Sequence, residues 1–426
     1  MRHLKIKLSL FLNYFVFAML LNSVGTVILL VQKTYHVSKS EVAVLEPFKD
    51  MSIAIVSFLV TSFITRIGYK KAMLTALAFI SIICFLMPFT HGLLMVELLF
   101  ASIGSSFALI KMSVYGSIGL ITTSEKEHIS LMNFVESFFG VGIVISYFVF
   151  PLFIDEDNPG SSAWLRVYYL LGAITVTAFV LLLTSSLDES AAKTEHPENM
   201  LADIGRMFRL LLSPLVLVFI VCAFFYVLLE QSIMSWLPTF NHDVLKLGEV
   251  LSIQMAAILS GSIALGRFLA GLVLKKLNWL IVLLICLFFA AALVLFAMPE
   301  IKNFLNSYKG SGITLLKDVP LIAFVFPLIG LVLAPVYPAI NSVILSSLPK
   351  PQHGLMAGLI IVFSALGGST GSLITGNIFE HYGGQTAFYF SLIPVIVLAV
   401  ALIIFRKLQQ KNVSGKTVSF HSSSIH

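Results

Sequence analysis

The stretch WLIVLLICLFFAAALVLFAM, from Trp279 to Met298, contains no charged side chain. An α-helix of about 20 such residues crosses the roughly 30 Å hydrocarbon core of a lipid bilayer. A helix satisfies its own backbone hydrogen bonds inside lipid, and the stretch lacks the alternation typical of a strand. This part of the chain is therefore predicted to be a membrane-spanning helix.

Eleven other apolar stretches of similar length occur in the 426 residues. Hydrophobic residues make up 58% of the chain and charged residues 11%, whereas a soluble domain carries about 25% charge. The expected fold class is an all-α membrane protein with twelve transmembrane helices. The first stretch is too long for the apolar region of a signal peptide, so we expect it to remain as the first helix. The other stretches are 8–32, 44–65, 72–89, 93–121, 129–153, 164–187, 214–240, 250–274, 320–348, 355–379 and 386–405.

The connections between these stretches predict the orientation, because Lys and Arg concentrate on the cytoplasmic side of membrane proteins. An N-terminus in the cytoplasm leaves the acidic run from Asp155 to Asp157 outside. Both termini are then cytoplasmic, in a bacterial inner membrane or a plasma membrane. The net charge of +6 reflects this cationic side and does not indicate a nucleic-acid partner. The cytoplasmic cations are Arg2, Lys5, Lys7, Arg66, Lys70, Lys71, Lys275, Lys276, Arg406, Lys407 and Lys411.

The chain divides into two groups of six stretches. We expect an N-terminal six-helix bundle over 1–187, a cytoplasmic linker over 188–212, a C-terminal bundle over 213–411 and a disordered tail over 412–426. The segment ending at Asn22 and Ser23 aligns with the one ending at Glu230 and Gln231. Such similarity is typical of a transporter built from two parallel repeats, although apolar helices also align by chance.

Four ionisable residues lie inside the predicted spans: Lys111, Glu136, Glu230 and Arg267. A charge at that depth is costly unless it faces a water-filled cavity or a partner, and it marks a solute path in many transporters. No metal-ligand spacing, catalytic constellation or phosphate-binding Gly-Lys-Ser/Thr loop accompanies them. The pattern favours a membrane transporter over an enzyme or an ATP-driven pump, with no cofactor and no metal.

Lys111 and Glu136 are predicted to lie at similar depth. A rise of 1.5 Å per residue puts Lys111 about 15 Å and Glu136 about 10 Å from the cytoplasmic end. An ion pair between them would offset most of the cost of burying either charge. Two interpretations stay open: a structural pair between two helices, or a pair that protonation or solute binding breaks.

Glu230 lies just outside the middle of the seventh span, and Asn22 lies at matching depth in the first. Glu230 either serves the solute and its coupling ion or locks the seventh helix by a hydrogen bond. Arg267 is expected to serve a cytoplasmic gate or a structural role rather than solute contact. Lys49 and Asp50 either line an outer vestibule or reach the interface. Further candidates for solute contact are Gln231, Trp236 and Gln254.

The six-plus-six arrangement resembles the major facilitator superfamily. The motif that this superfamily carries between its second and third helices aligns with Thr61 to Lys70, where Arg66, Gly68 and Lys70 match. The resemblance implies two six-helix bundles that alternate between inward-open and outward-open states. Arg66 and Lys70 of this motif are expected to belong to a cytoplasmic gate, the role also considered above for Arg267.

Three segments are similar to the fucose–galactose–hexuronate:proton symporter branch. They are 226–238 with Glu230 and Trp236, 330–338 with two prolines, and 133–140 with Glu136. The branch's amide in its fourth helix corresponds to Lys111, and its Gln in the fifth corresponds to Glu136. The resemblance implies proton-coupled transport of a sugar, and Lys111 leaves room for a sugar acid or another carboxylate.

The function expected is therefore secondary active transport of a small polar organic solute by a monomer in the bilayer, coupled to protons. Three alternatives remain: an exporter, a siderophore or amino-acid transporter of the same fold, and a membrane receptor that has this fold without transporting.

Overall fold

The computed structural model is almost entirely helical and describes the chain except for residues 1–3, 62–63, 123–124, 159, 191–199, 275, 309, 311, 349–351 and 423–426. Within the described residues, eleven helices are long and apolar enough to cross a membrane. A further apolar helix, Leu45–Thr61, has 17 residues and supplies the second of the twelve expected spans. The predicted fold class is confirmed.

The first half of the chain forms six spans, of which the first is interrupted at Ser23. A short helix, α3, precedes the second span, and α5 connects the second and third. The helices are α1 (Leu4–Asn22), α2 (Val24–Tyr35), α3 (Lys39–Val42), α4 (Leu45–Thr61), α5 (Ile64–Ile67), α6 (Tyr69–Leu86), α7 (Leu93–Ile121), α8 (Glu125–Val149) and α9 (Val167–Leu183).

The second half repeats this plan after an amphipathic helix, α10. Its seventh, tenth and twelfth spans are each built from two consecutive helices. The helices are α10 (Met200–Leu211), α11 (Pro214–Met234), α12 (Leu237–Asp243), α13 (Glu249–Val273), α14 (Trp279–Ser307), α15 (Val325–Leu333), α16 (Val336–Ser347), α17 (His353–Tyr382), α18 (Gly384–Tyr389) and α19 (Leu392–Ser422).

The last helix, α19, ends at Ser422. The disordered tail expected over 412–426 stays a prediction.

The first and seventh spans are interrupted where they meet. The break in the first lies at Ser23, and the break in the seventh lies at Ser235 and Trp236. A Cβ atom added at Gly25 would come 3.0 Å from the backbone oxygens of Met234 and Ser235. An added Cβ at that distance would be tighter than an ordinary contact, so Gly25 allows the two interruptions to approach closely. The predicted alignment pairs Ser23 with Gln231, whereas the seventh span is interrupted four residues later, at Ser235. The two breaks are therefore offset by about one helical turn.

The two halves pack against each other through several pairs of helices, including α3 with α17. The other pairs are α4 with α17, α8 with α13, and α2 with α12. We call the end of the molecule that carries the start of α1 and the end of α4 the near end. The opposite end, where α2 and α12 finish and α4 begins, is the far end. If the termini are cytoplasmic, the near end is the cytoplasmic end.

Candidate functional site

Ion pairs and hydrogen bonds join the two halves at the far end. The Lys33 ammonium lies 2.8 Å from a Glu249 carboxylate oxygen, and Lys39 lies 2.9 Å from Asp243. The backbone N–H of Lys39 donates to Glu380 at 2.6 Å. These contacts close the far end between the bundles, and we call them the far gate.

A cluster in the first half contains two of the predicted site residues. Tyr115 Oη donates to Glu136 Oε1 at 2.6 Å. The Lys111 ammonium lies 6.0 Å from the centre of the Tyr115 ring and 5.9 Å from that of Phe107. Glu136 is close enough to act electrostatically on Lys111. The structure thus brings Lys111 and Glu136 into one cluster. In it, the Tyr115 hydroxyl donates to the carboxylate and the Tyr115 ring contacts the ammonium.

A second cluster occupies the other half and has the same three kinds of group. Tyr226 Oη donates to Glu230 Oε1 at 2.9 Å, and Arg267 Nη2 lies 3.7 Å from the same oxygen. Tyr226 stacks on Tyr337 with ring centres 5.4 Å apart. Tyr337 Oη shares a hydrogen bond of 2.8 Å with Ser364 on α17. Each half therefore holds a Tyr–Glu hydrogen bond next to a cation, and Arg267 belongs to the cluster of Glu230.

One charged side chain of each cluster is exposed within helices that cross the membrane. Glu136 is exposed, and the Arg267 side chain is 51% exposed. Exposing either charge to hydrocarbon would be costly, whereas a water-filled cavity accommodates both. With the far gate closed, this exposure indicates a cavity that opens toward the near end.

The other candidates for solute contact lie nearer the far gate. The side chain of Asn22 donates to Ala18 O at 2.9 Å, immediately before the break in the first span. Gln231 is partly exposed and accepts a 3.4 Å hydrogen bond from Ser235. Gln254 is partly exposed on α13. Their role in solute binding stays a prediction.

Trp236 is fully buried in this conformation. Its indole N–H donates to Ser372 of α17, with 3.1 Å to the backbone oxygen and 3.2 Å to the hydroxyl. The ring also lies 5.8 Å from the centre of Phe379. Packing of α12 against α17 thus accounts for this tryptophan here, and solute contact would require the far gate to move.

The expected gate residues at the near end are only partly described. Lys70 holds the first bundle together, because its ammonium donates to Leu183 O at 3.1 Å and to Ser185 O at 2.5 Å. Its backbone N–H donates to Glu189 at 2.6 Å. The side chain of Arg66 lies outside the described residues. The gating role of both residues stays a prediction.

A buried charged cluster on α4 was not among the predicted sites. Lys49 bonds Glu46, lies 3.5 Å from Asp50, and is only 6% exposed. The three residues have spacings of three and four, which place them on one face of a helix. That spacing could have predicted the cluster. However, Lys49 and Asp50 lie near a helix end, which is also typical of side chains that reach the membrane interface. Tyr115 and Tyr226 were missed as well, since apolar spans contain many tyrosines that only pack.

Comparisons with known proteins agree with this architecture. Similar solved structures include the nucleoside transporter NupG in a D323A mutant, with a TM-score of 0.74 and 14% identity over 94% of this chain and 99% of that chain. The inward-open xylose transporter XylE from E. coli gives 0.71 and 12% identity, over 95% of each chain. The transporter FucP in its outward conformation gives 0.61 and 15% identity, over 96% of this chain and 99% of that one. At these identities the likeness concerns the fold alone.

A family model described as Major Facilitator Superfamily matches residues 10–308 and 310–423, which is nearly the whole chain. No curated protein matches the sequence significantly. The family match, the apolar helices and the two bundles agree that this is a multi-pass integral membrane protein. The chain belongs to the Major Facilitator Superfamily.

Proposed function

We propose that this protein is a secondary active transporter that moves a small, carboxylate-bearing polar solute by alternating access, coupled to protons. The observation that carries the proposal is the pair of Tyr–Glu–cation clusters, one in each half, inside membrane-spanning helices that are joined at the far gate. A solute that contacts both clusters would link the two bundles. Opening the far gate and closing the near end would then carry that solute across the membrane.

The solute class follows from Lys111. Its ammonium lies against two aromatic rings, and among the described side chains it makes no ion pair with a carboxylate. Its neighbour Glu136 is engaged by the Tyr115 hydroxyl. An ammonium in such a place holds a solute carboxylate by charge-assisted hydrogen bonds, which are about twice as strong as neutral ones. Sugar acids, amino acids and other small carboxylates therefore fit better than neutral sugars.

Proton coupling is the finer part of the proposal and is assigned to Glu136. This carboxyl is exposed in a membrane-spanning helix and next to both a cation and a hydroxyl. A carboxyl can accept a proton there when the neighbouring ammonium turns to a solute carboxylate, because its compensating charge is then withdrawn. Solute binding and proton binding would support each other.

Uptake into proteoliposomes tests the solute class. Galactose and galacturonate are compared at an imposed proton gradient, with wild type, Lys111→Gln and the matched control Lys317→Gln, which removes an exposed lysine of the far end. We expect galacturonate to bind more tightly than galactose to wild type. Loss of one charged hydrogen bond, about 1.5–3 kcal/mol, should weaken galacturonate about ten- to a hundredfold in Lys111→Gln only.

Two results would contradict the proposal. Equal affinity for the two sugars, unchanged in Lys111→Gln, would show that the ammonium does not recognise the solute's charge. Saturable binding of a solute without any accumulation in the vesicles, in wild-type protein, would favour the receptor alternative.

A further inference from the structure

The buried triad Glu46, Lys49 and Asp50 lies inside the far gate and has no role in the two clusters described above. Glu46 is 0% exposed, Lys49 6% and Asp50 8%. Glu46 accepts a hydrogen bond of 3.0 Å from Ser235, at the break in the seventh span of the other half. A Cβ atom added at Gly368 of α17 would come 2.5 Å from Asp50 Oδ2, so this carboxyl is pressed against the second half as well.

The charges of the triad do not balance. Two carboxylates and one ammonium give a net charge of −1 if all three are ionised. Tyr147 of α8 is a titratable side chain that acts electrostatically on Lys49 and Glu46. Gly104 of α7, Gly368 of α17 and Ser235, which directly follows α11, also contact this part of α4, and none of them carries a charge. No further cation acts on Asp50 among the described side chains.

An uncompensated carboxylate is costly to bury, so a group in this position takes up a proton instead. Lys49 bonds Glu46 and lies 3.5 Å from Asp50, and Glu46 has the Ser235 hydroxyl as a second partner. Asp50 has the weaker contact with Lys49 and faces Gly368, which offers no side-chain donor. Asp50 is therefore the member of the triad that holds the proton when the gate is closed.

Opening of the far gate would change this balance. Ser235 and Gly368 belong to the second half, so separation of the halves withdraws both of them from the triad and admits water. Hydration then stabilises the ionised carboxylate of Asp50. The closed gate thus binds one more proton than the open gate.

We propose that the Glu46–Lys49–Asp50 triad is a proton-binding site that locks the far gate, with Asp50 taking a proton from water on the far side as the gate closes. The proposal extends the proposed function by naming a second proton site, distinct from Glu136. Closure itself needs no solute, so it is measured without one. By linkage, one proton bound on closure changes the ratio of closed to open molecules by up to about tenfold per pH unit, in favour of closure as the pH falls.

The experiment measures the distance between spin labels across the far gate in the full-length protein in lipid nanodiscs, from pH 5 to pH 9 without solute. Labels are placed at Asn158→Cys and Lys317→Cys, which are exposed far-end positions in the two halves, after Cys84, Cys222 and Cys286 are changed to Ala. Wild type should shift toward the short distance as the pH falls. Asp50→Asn carries a neutral side chain of the same size and should show the short distance at every pH.

Two further variants exclude other origins of a pH effect. Glu46→Gln leaves one carboxylate for one ammonium, so we expect its gate to stay closed at high pH too. His242 is the rival, because it lies 2.7 Å from Asp243 within the far gate and histidine titrates in this range. His242→Gln should keep the wild-type pH dependence.

The proposal is overturned if wild type shows no shift with pH, if Asp50→Asn shifts as wild type does, or if His242→Gln alone abolishes the shift. Failure of galacturonate uptake would contradict the proposed function but would leave this result standing. A pH-independent gate would equally leave the proposed solute class intact.

Discussion

At the scale of single residues, the tyrosines Tyr115 and Tyr226 determine what the membrane-embedded carboxylates can do. Each donates to a glutamate, at 2.6 Å and 2.9 Å, and each lies beside a cation. A hydroxyl stabilises an ionised carboxylate without neutralising it, so the carboxylate still responds to a change in the position of the cation. A direct Lys111–Glu136 ion pair would respond less, because it compensates both charges.

The first prediction concerns Glu136. If Glu136 carries the coupling proton, Glu136→Gln should retain exchange of solute between equal pools but lose accumulation against a gradient, because the proton gradient would no longer drive uptake. Glu156→Gln, which alters an exposed carboxylate of a far-end loop, serves as the control. Proteoliposomes loaded with labelled solute allow both assays. Uphill uptake at the wild-type rate in Glu136→Gln would remove this residue from the coupling mechanism.

The sequence predicted the depth of the charged residues but not their partners. Position along a helix gives height at a fixed rise per residue, and Lys111 and Glu136 do come together in one cluster. Contacts depend on the rotation of each helix about its axis, which one sequence does not specify for an apolar stretch without a polar face. Arg267 was therefore assigned to a gate or a structural role without Glu230 as its partner, and Lys49 and Asp50 were interpreted as lining an outer vestibule or reaching the interface.

At the scale of helices, two sets of glycines have different roles. Within the second half, Gly367 and Gly371 lie where added Cβ atoms would clash with the backbone of Phe224 and Leu228 on α11. Gly25 and Gly376 instead allow close approach between the two halves at the far gate. The first set holds α11 and α17 in tight contact within one bundle. The contacts at the second set would separate when the gate opens.

The second prediction compares two glycines of the C-terminal half. Gly371→Ala should lower the midpoint of thermal unfolding, because the added methyl group meets Leu228 of α11 and overpacking costs about 1–3 kcal/mol. Gly261→Ala is the matched control, since an added Cβ there meets nothing within 4 Å. Alanine favours a helix over glycine by about 1 kcal/mol, so this control should be as stable as wild type or more so. Equal midpoints for the two variants would show that α11 and α17 are not in tight contact at Gly371.

At the scale of the whole molecule, the described bonds between the halves define one conformational state. The far gate is closed by ion pairs, while Glu136 and Arg267 are exposed. Alternating access requires the opposite state to lie within a few kcal/mol, so that a solute and a proton can shift the population. Such a gate needs contacts that are individually weak enough to break together.

The last prediction tests this balance at the pair of Lys33 and Glu249, whose charged atoms lie 2.8 Å apart and whose side chains are 21% and 9% exposed. A partly exposed ion pair contributes about 1 kcal/mol or less, so Lys33→Glu should raise the open fraction about fivefold or more, because it also adds repulsion. Exchanging the two charges in Lys33→Glu with Glu249→Lys should restore the wild-type distance between labels at positions 158 and 317.

The charge change Lys317→Glu on the exposed far surface controls for net charge, and its labelled version uses Leu316→Cys instead. A weaker closed state needs a lower pH to form, so the pH at which the gate is half closed should fall in Lys33→Glu. The pair lies apart from the triad, so this pH response should still depend on Asp50. A double variant that stays as open as the single one would mean that these two residues do not pair across the gate.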